Sequence, residues 1–139
     1  MIHYRQKTFP NLHIASLSGK CLRYVDEAGK SSTRRETAQQ AADAEKAAGR
    51  LSRTELPTAI WVVLFFSLAS GTYAGRGHVL LAKRDNDRTI EIHDSEVHSG
   101  AREPYKSIAE VIEWLQEYDP EYLGWSTQCD GVVYAELLT

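Results

Sequence analysis

The chain has 139 residues, 42% of them hydrophobic and 25% charged, with a formal net charge of −3 at pH 7. That length suits a single domain over residues 1–139 with a substantial core. No Lys/Arg-rich stripe is present, which argues against a nucleic-acid partner.

The opening MIHYRQKTFP lacks the apolar centre of a secretory signal, and residues 1–15 show no clear period. Around Cys21, the spacing of Leu22, Val25 and Ala28, with Tyr24 as a second apolar contact, predicts a short helix. Ser18 and Gly19 supply cap chemistry before it and Gly29 ends it. Residues 34–50 are rich in Ala, Glu, Gln and Lys and predict a second helix with an alanine contact stripe and a solvated face. Residues 59–69, AIWVVLFFSLA, fall short of the roughly 20 apolar residues a bilayer requires. They read as a buried central strand, and no membrane insertion is expected.

A glycine-punctuated loop, SGTYAGRG, leads to a strand over 78–84. A polar turn over 85–88 and an alternating strand over 89–97 complete an expected antiparallel hairpin, with Ile90 and Ile92 on one face and Glu91 and His93 on the other. Ser107 and Glu110 form a capping-box signature. The helix that follows runs to about Tyr118, with Ile108, Val111, Ile112 and Leu115 on its apolar face. Asp119-Pro120 stops it, and YLGWS and GVVYAELL are two further strands around the turn TQCDG. The fold class expected is α+β, with N-terminal helices packed on a mostly antiparallel sheet.

Candidate chemistry centres on Cys21, one of two cysteines. A thiol at a helix N-terminus meets free N–H groups and the positive end of the helix dipole, which favour thiolate. It still needs a base, brought together in space rather than in sequence. Of five histidines, His78 follows a glycine at the start of a strand, and His93 lies on the next strand, where cross-strand pairing would set it beside His78 and fix its tautomer. The bland alternatives are a buried core thiol at Cys21, a structural His78, a solvent-facing His93 and an exposed, idle His98. Cys129 reads as an incidental thiol, and a Cys21–Cys129 bridge would require an oxidising setting. A zinc site from Cys21, His78, His93 and His98 lacks a tight ligand pair. Trp61 and Trp125 read as core.

CLRYV at a helix start, then GHVLLAK and TIEIHD on successive strands, resembles the papain-like peptidoglycan hydrolases of the CHAP and NlpC/P60 type. The tail YKSIAEVIEWL…YLGWSTQCDGVVYAE is similar to the closing segment of CHAP-like bacteriophage lysins, and the likeness runs from about residue 19 to residue 136. The resemblance implies a papain-like fold and a cysteine amidase or endopeptidase that cuts peptidoglycan stem peptides through a thioester, without cofactor or metal. Cys21 would be the nucleophile, His78 the base and His93 the orienting residue, with Glu91 second and Asp94 third in line for that role. The Cys21 backbone N–H would serve the oxyanion hole. It further implies synthesis in a bacterial host cytoplasm and action at the cell wall, after release or as part of a virion. Two other classes stay open: a non-catalytic relative that binds wall fragments or a protein partner, and an amidase or deamidase acting on a different amide.

Overall fold

The computed structural model describes residues 3–14, 20–31, 35–85 and 89–138. The caps expected at Ser18 and Gly19, and most of the turn after residue 85, lie outside the described residues. The molecule is α+β, and its centre is a four-stranded antiparallel sheet in the order β4-β3-β2-β5, built from β2 (Trp61–Leu68), β3 (His78–Arg84), β4 (Ile90–His93) and β5 (Pro120–Ser126).

The apolar run predicted as a central strand is β2, and both its faces are covered. Val63 and Phe65 share one core with Val79 and Leu81, beneath α1 (Cys21–Ala28) and α2 (Ala38–Ala47). Val62, Leu64 and Phe66 share the other with Leu80, Ala82 and Ile92, against Val111 and Leu115 of the segment that includes α4 (Ile108–Trp114). A strand buried on both faces has no polar positions to spare, which is why its sequence does not alternate. Each such side chain contributes about 1.5–3 kcal/mol by leaving water.

Local chemistry sets the helices. The alanine stripe of α2 (Ala38, Ala41 and Ala42) is buried, and Thr37 caps the helix by accepting a hydrogen bond from the Gln40 N–H at 3.1 Å. In α1, Leu22, Val25 and Ala28 face the core. Below it, the Tyr134 hydroxyl donates to the Val25 carbonyl at 2.6 Å, so close to Gly29 that a Cβ there would lie 2.5 Å from the phenol oxygen. Trp61 and Trp125 are buried, as expected of core residues.

Several boundaries differ from the sequence reading. Residues 3–6, which carry no period, form β1 (His3–Gln6), paired antiparallel with β8 (Ala135–Leu138). The Gln6 side chain ties this ribbon to β2, accepting from the Trp61 N–H at 2.6 Å and donating to the Trp61 carbonyl at 3.1 Å. GVVYAELL is not one strand but two. β7 (Val132–Val133) pairs with β6 (Gln128–Cys129), and Tyr134 separates β7 from β8. The expected turn TQCDG is therefore partly strand, with the reversal at Asp130 and Gly131, both at positive φ.

The strand expected over 89–97 ends at His93, because Asp94 instead caps the short helix α3 (Ser95–His98), accepting from the Val97 N–H at 3.0 Å. The capping box at Ser107 forms, but α4 gives way to a 3₁₀ turn at Gln116–Tyr118. Ile112, assigned to the apolar face of α4, is 40% exposed.

Candidate active site

Cys21 is the first residue of α1. Its N-cap, Lys20, makes no side-chain capping hydrogen bond, so among the described residues the first turn has no side-chain cap from that position to satisfy its N–H groups. The positive end of α1 thus coincides with the sulfur. Cys21 is half-buried and Cys129 fully buried, and both are free thiols. Burial, with the charges of Asp26 and Asp130 and a hydrogen bond to Asp26, pushes the Cys129 thiol well above its ordinary pKa and makes it a poor nucleophile.

His78 opens β3. It is placed by Gly77, whose φ of +70° and close packing admit only glycine without strain: a Cβ there would lie 2.8 Å from the Gln39 nitrogen and 3.0 Å from the Phe66 carbonyl. The α2 N-terminus and β2 therefore fix the backbone one residue before the imidazole. The ring is buried, and its Nε2 lies 2.8 Å from Asp94 Oδ2, while the same ring shares the wall of one cleft with Cys21. With Nε2 committed to Asp94, Nδ1 is the nitrogen left for sulfur.

The electrostatics follow from these contacts. Burial alone favours a neutral ring, but the charge of Cys21 and the hydrogen bond and charge of Asp94 outweigh it and raise the His78 pKa to about 10. Burial likewise works against charge on Asp94. The His78 hydrogen bond and charge, the Tyr105 hydroxyl at 2.6 Å and the Val97 N–H together hold the carboxyl below the usual carboxylate range. An ionised carboxylate only accepts, so His78 Nε2 carries a proton and donates it to Asp94.

The side chain bonded to His78 is that of Asp94, third among the candidates named from sequence, and not that of His93. In the β3–β4 ladder His93 pairs with Leu81, three residues along from His78, on the face covered by α1. There its Nε2 donates to Glu91 at 2.7 Å, its Nδ1 lies 2.8 Å from His98 Nε2, and its ring packs 5.8 Å from that of Trp61. Glu91 is thus engaged with His93 rather than with His78. His98, expected to be idle, stacks on Tyr24 at 5.2 Å. Burial, then the charges of His93 and His13, lower its pKa. Among the described residues no metal-binding grouping includes Cys21, His78, His93 or His98; the one such grouping is Asp26, Cys129 and Asp130, where Asp130 is paired with Arg35 at 2.8 Å.

Cys21 and His78 line a cleft of about 280 Å³ whose walls include Tyr73, Glu96, Trp114 and Glu117. The site therefore joins a helix start, two strand ends and the turn after α4. Sequence reasoning missed Tyr105, which follows a proline in a loop and carries no motif. Its buried hydroxyl on Asp94 is visible only in three dimensions.

An α+β molecule with a thiol, an imidazole and a carboxylate in series is the class these observations define. No protein-family model matches the chain, and neither the curated proteins nor the solved structures compared with it give a match. Among the described residues no helix is long and apolar enough to cross a membrane.

Proposed function

We propose that this protein is a papain-like cysteine hydrolase that cleaves an amide of the peptidoglycan stem peptide. The observation that carries the reading is the position of His78, which lines one cleft together with Cys21 and is hydrogen-bonded to Asp94 at 2.8 Å. Nucleophile, base and orienting acid are the three parts an acyl transfer requires. The cell-wall substrate comes from the sequence resemblance to CHAP and NlpC/P60 hydrolases.

In this mechanism the Cys21 thiol gives its proton to His78 Nδ1, Sγ attacks the amide carbonyl as thiolate, and the carbonyl oxygen becomes an oxyanion. The Cys21 N–H, in the first turn of α1, would stabilise it. The C–N bond breaks as His78 gives its proton to the departing amine, leaving an acyl thioester on sulfur. A water molecule then yields a proton to His78 Nδ1 and its oxygen attacks the thioester; the C–S bond breaks, the carboxylic acid leaves, and Cys21 and His78 are left with the single proton they shared at the start. Asp94 stays ionised throughout and holds the ring in place.

The test is release of new amines from purified peptidoglycan. Wild type is expected to release them and Cys21→Ser to release none above background. A wild type that releases nothing, or a serine variant that equals it, would refute the proposal.

A further inference from the structure

A second cleft, of about 170 Å³, meets the first at Cys21, with Tyr73 and Gly77 common to both. The two differ in charge. The first is lined by Glu96 and Glu117 and, among the described residues, has no lysine or arginine in its wall. The second, among the described residues, is lined by Lys20, Arg23, Arg35 and Arg76 against one carboxylate, Glu36. Arg23 is paired with Glu27 and Arg35 with Asp130, so Lys20 and Arg76, both exposed, are the cations whose side chains have no ion-pair partner among the described residues. The sulfur thus sits where an acidic trough and a basic one join.

Resting on the reading above, the geometry points to a substrate with opposite charges on the two sides of the bond that is cut, and it fixes their order. His78 must reach the departing nitrogen, and His78 lines the acidic cleft but not the basic one. The amine half of the substrate therefore occupies the acidic cleft and carries a cation, an ammonium set between Glu96 and Glu117 and near the rings of Tyr73 and Tyr118. The acyl half occupies the basic cleft and carries a carboxylate, met by Lys20 and Arg76. Charges that face a groove select among substrates of similar shape, because a like charge is repelled and an unmatched one loses its water without a partner. The trough edges are solvent-exposed, so the selection weakens as salt is added.

The experiment uses the full chain and purified peptidoglycan in three forms: untreated, with free amines acetylated, and with free carboxylates amidated. Wild type is expected to open untreated walls and to slow by about tenfold or more on each blocked form, the size of one matched charge pair in a groove. In Glu96→Gln/Glu117→Gln the penalty for blocked amines should disappear while that for blocked carboxylates persists. Lys20→Gln/Arg76→Gln should show the reverse. Equal rates of Cys21-dependent cleavage on all three forms overturn the charge assignment and leave the hydrolase standing. A penalty relieved by the opposite pair of variants overturns the order of the halves. Absence of cleavage on untreated walls, with Cys21→Ser equal to wild type, overturns the hydrolase itself and this inference with it.

Discussion

His78 donates a hydrogen bond from Nε2 to Asp94 Oδ2 at 2.8 Å, and Asp94 simultaneously accepts from the Tyr105 hydroxyl at 2.6 Å and, through Oδ1, from the Val97 N–H. One carboxylate thus caps a helix, anchors a tyrosine and orients an imidazole. Three donors converge on it, and one of them is the His78 cation, so Asp94 remains ionised while buried.

This relationship separates two candidates for the orienting role. Asp94→Asn keeps an oxygen that can cap α3, but it removes the charge and presents an amide that need not hold the same tautomer. The expected loss in kcat/KM on peptidoglycan is about 10²–10⁴-fold, as for other triads deprived of their acid. His93→Gln touches Glu91, His98 and Trp61 but not His78, and activity should stay within about threefold, the variant's effect falling on packing. Equal losses in the two variants would return His93 to the site.

The same contacts make stability depend on pH. The His78 pKa rises from 6.5 unfolded to about 10 folded, so its contribution is complete below about pH 6.5 and is lost as pH climbs through about 10. Asp94 is shifted down, so its contribution is present above the ordinary carboxylate range and is lost as pH falls through its lowered value. Thermal unfolding between pH 3 and 11 should show a plateau near neutrality with losses on both sides. In His78→Gln the alkaline loss should shrink, and an unchanged alkaline limb would contradict the ion pair. The upper limb of kcat/KM should follow the same His78 deprotonation, since an uncharged ring keeps its one proton on Nε2, toward Asp94, and has none on Nδ1 for the leaving amine.

Gly77 joins stability to catalysis. In Gly77→Ala a Cβ would press on the Gln39 nitrogen and the Phe66 carbonyl, at a φ that disfavours side chains. The cost expected in chemical denaturation is on the order of 1–3 kcal/mol. Because the next residue is His78, kcat should fall more than the lost stability explains, measured at a temperature where the variant is fully folded. Gly75, which also has positive φ but no neighbour within reach of a Cβ, is the control. Gly75→Ala should cost less and leave kcat unchanged.

The elements that the sequence determined are those whose signals are local. The 59–69 run, the alanine stripe of α2, the capping box at Ser107 and the β3–β4 hairpin each depend on side chains a few residues apart, so a period or a cap suffices to reveal them. Cys21 at a helix start and His78 at a strand start were legible for the same reason. Asp94 ranked only third, behind His93 and Glu91, because the choice hinges on where β4 stops and on register. Pairing of Ala82 with Ile92 puts even-numbered positions of the two strands on one face, so His93, opposite Leu81, turns toward α1. Asp94 leaves the ladder to cap α3 and reaches His78 from there. Nor could sequence separate the charges of the two troughs, since Glu96, Glu117, Lys20 and Arg76 come from four distant segments. Periodicity describes which way a residue points from its own element, and only the packing of one element on another decides what it meets.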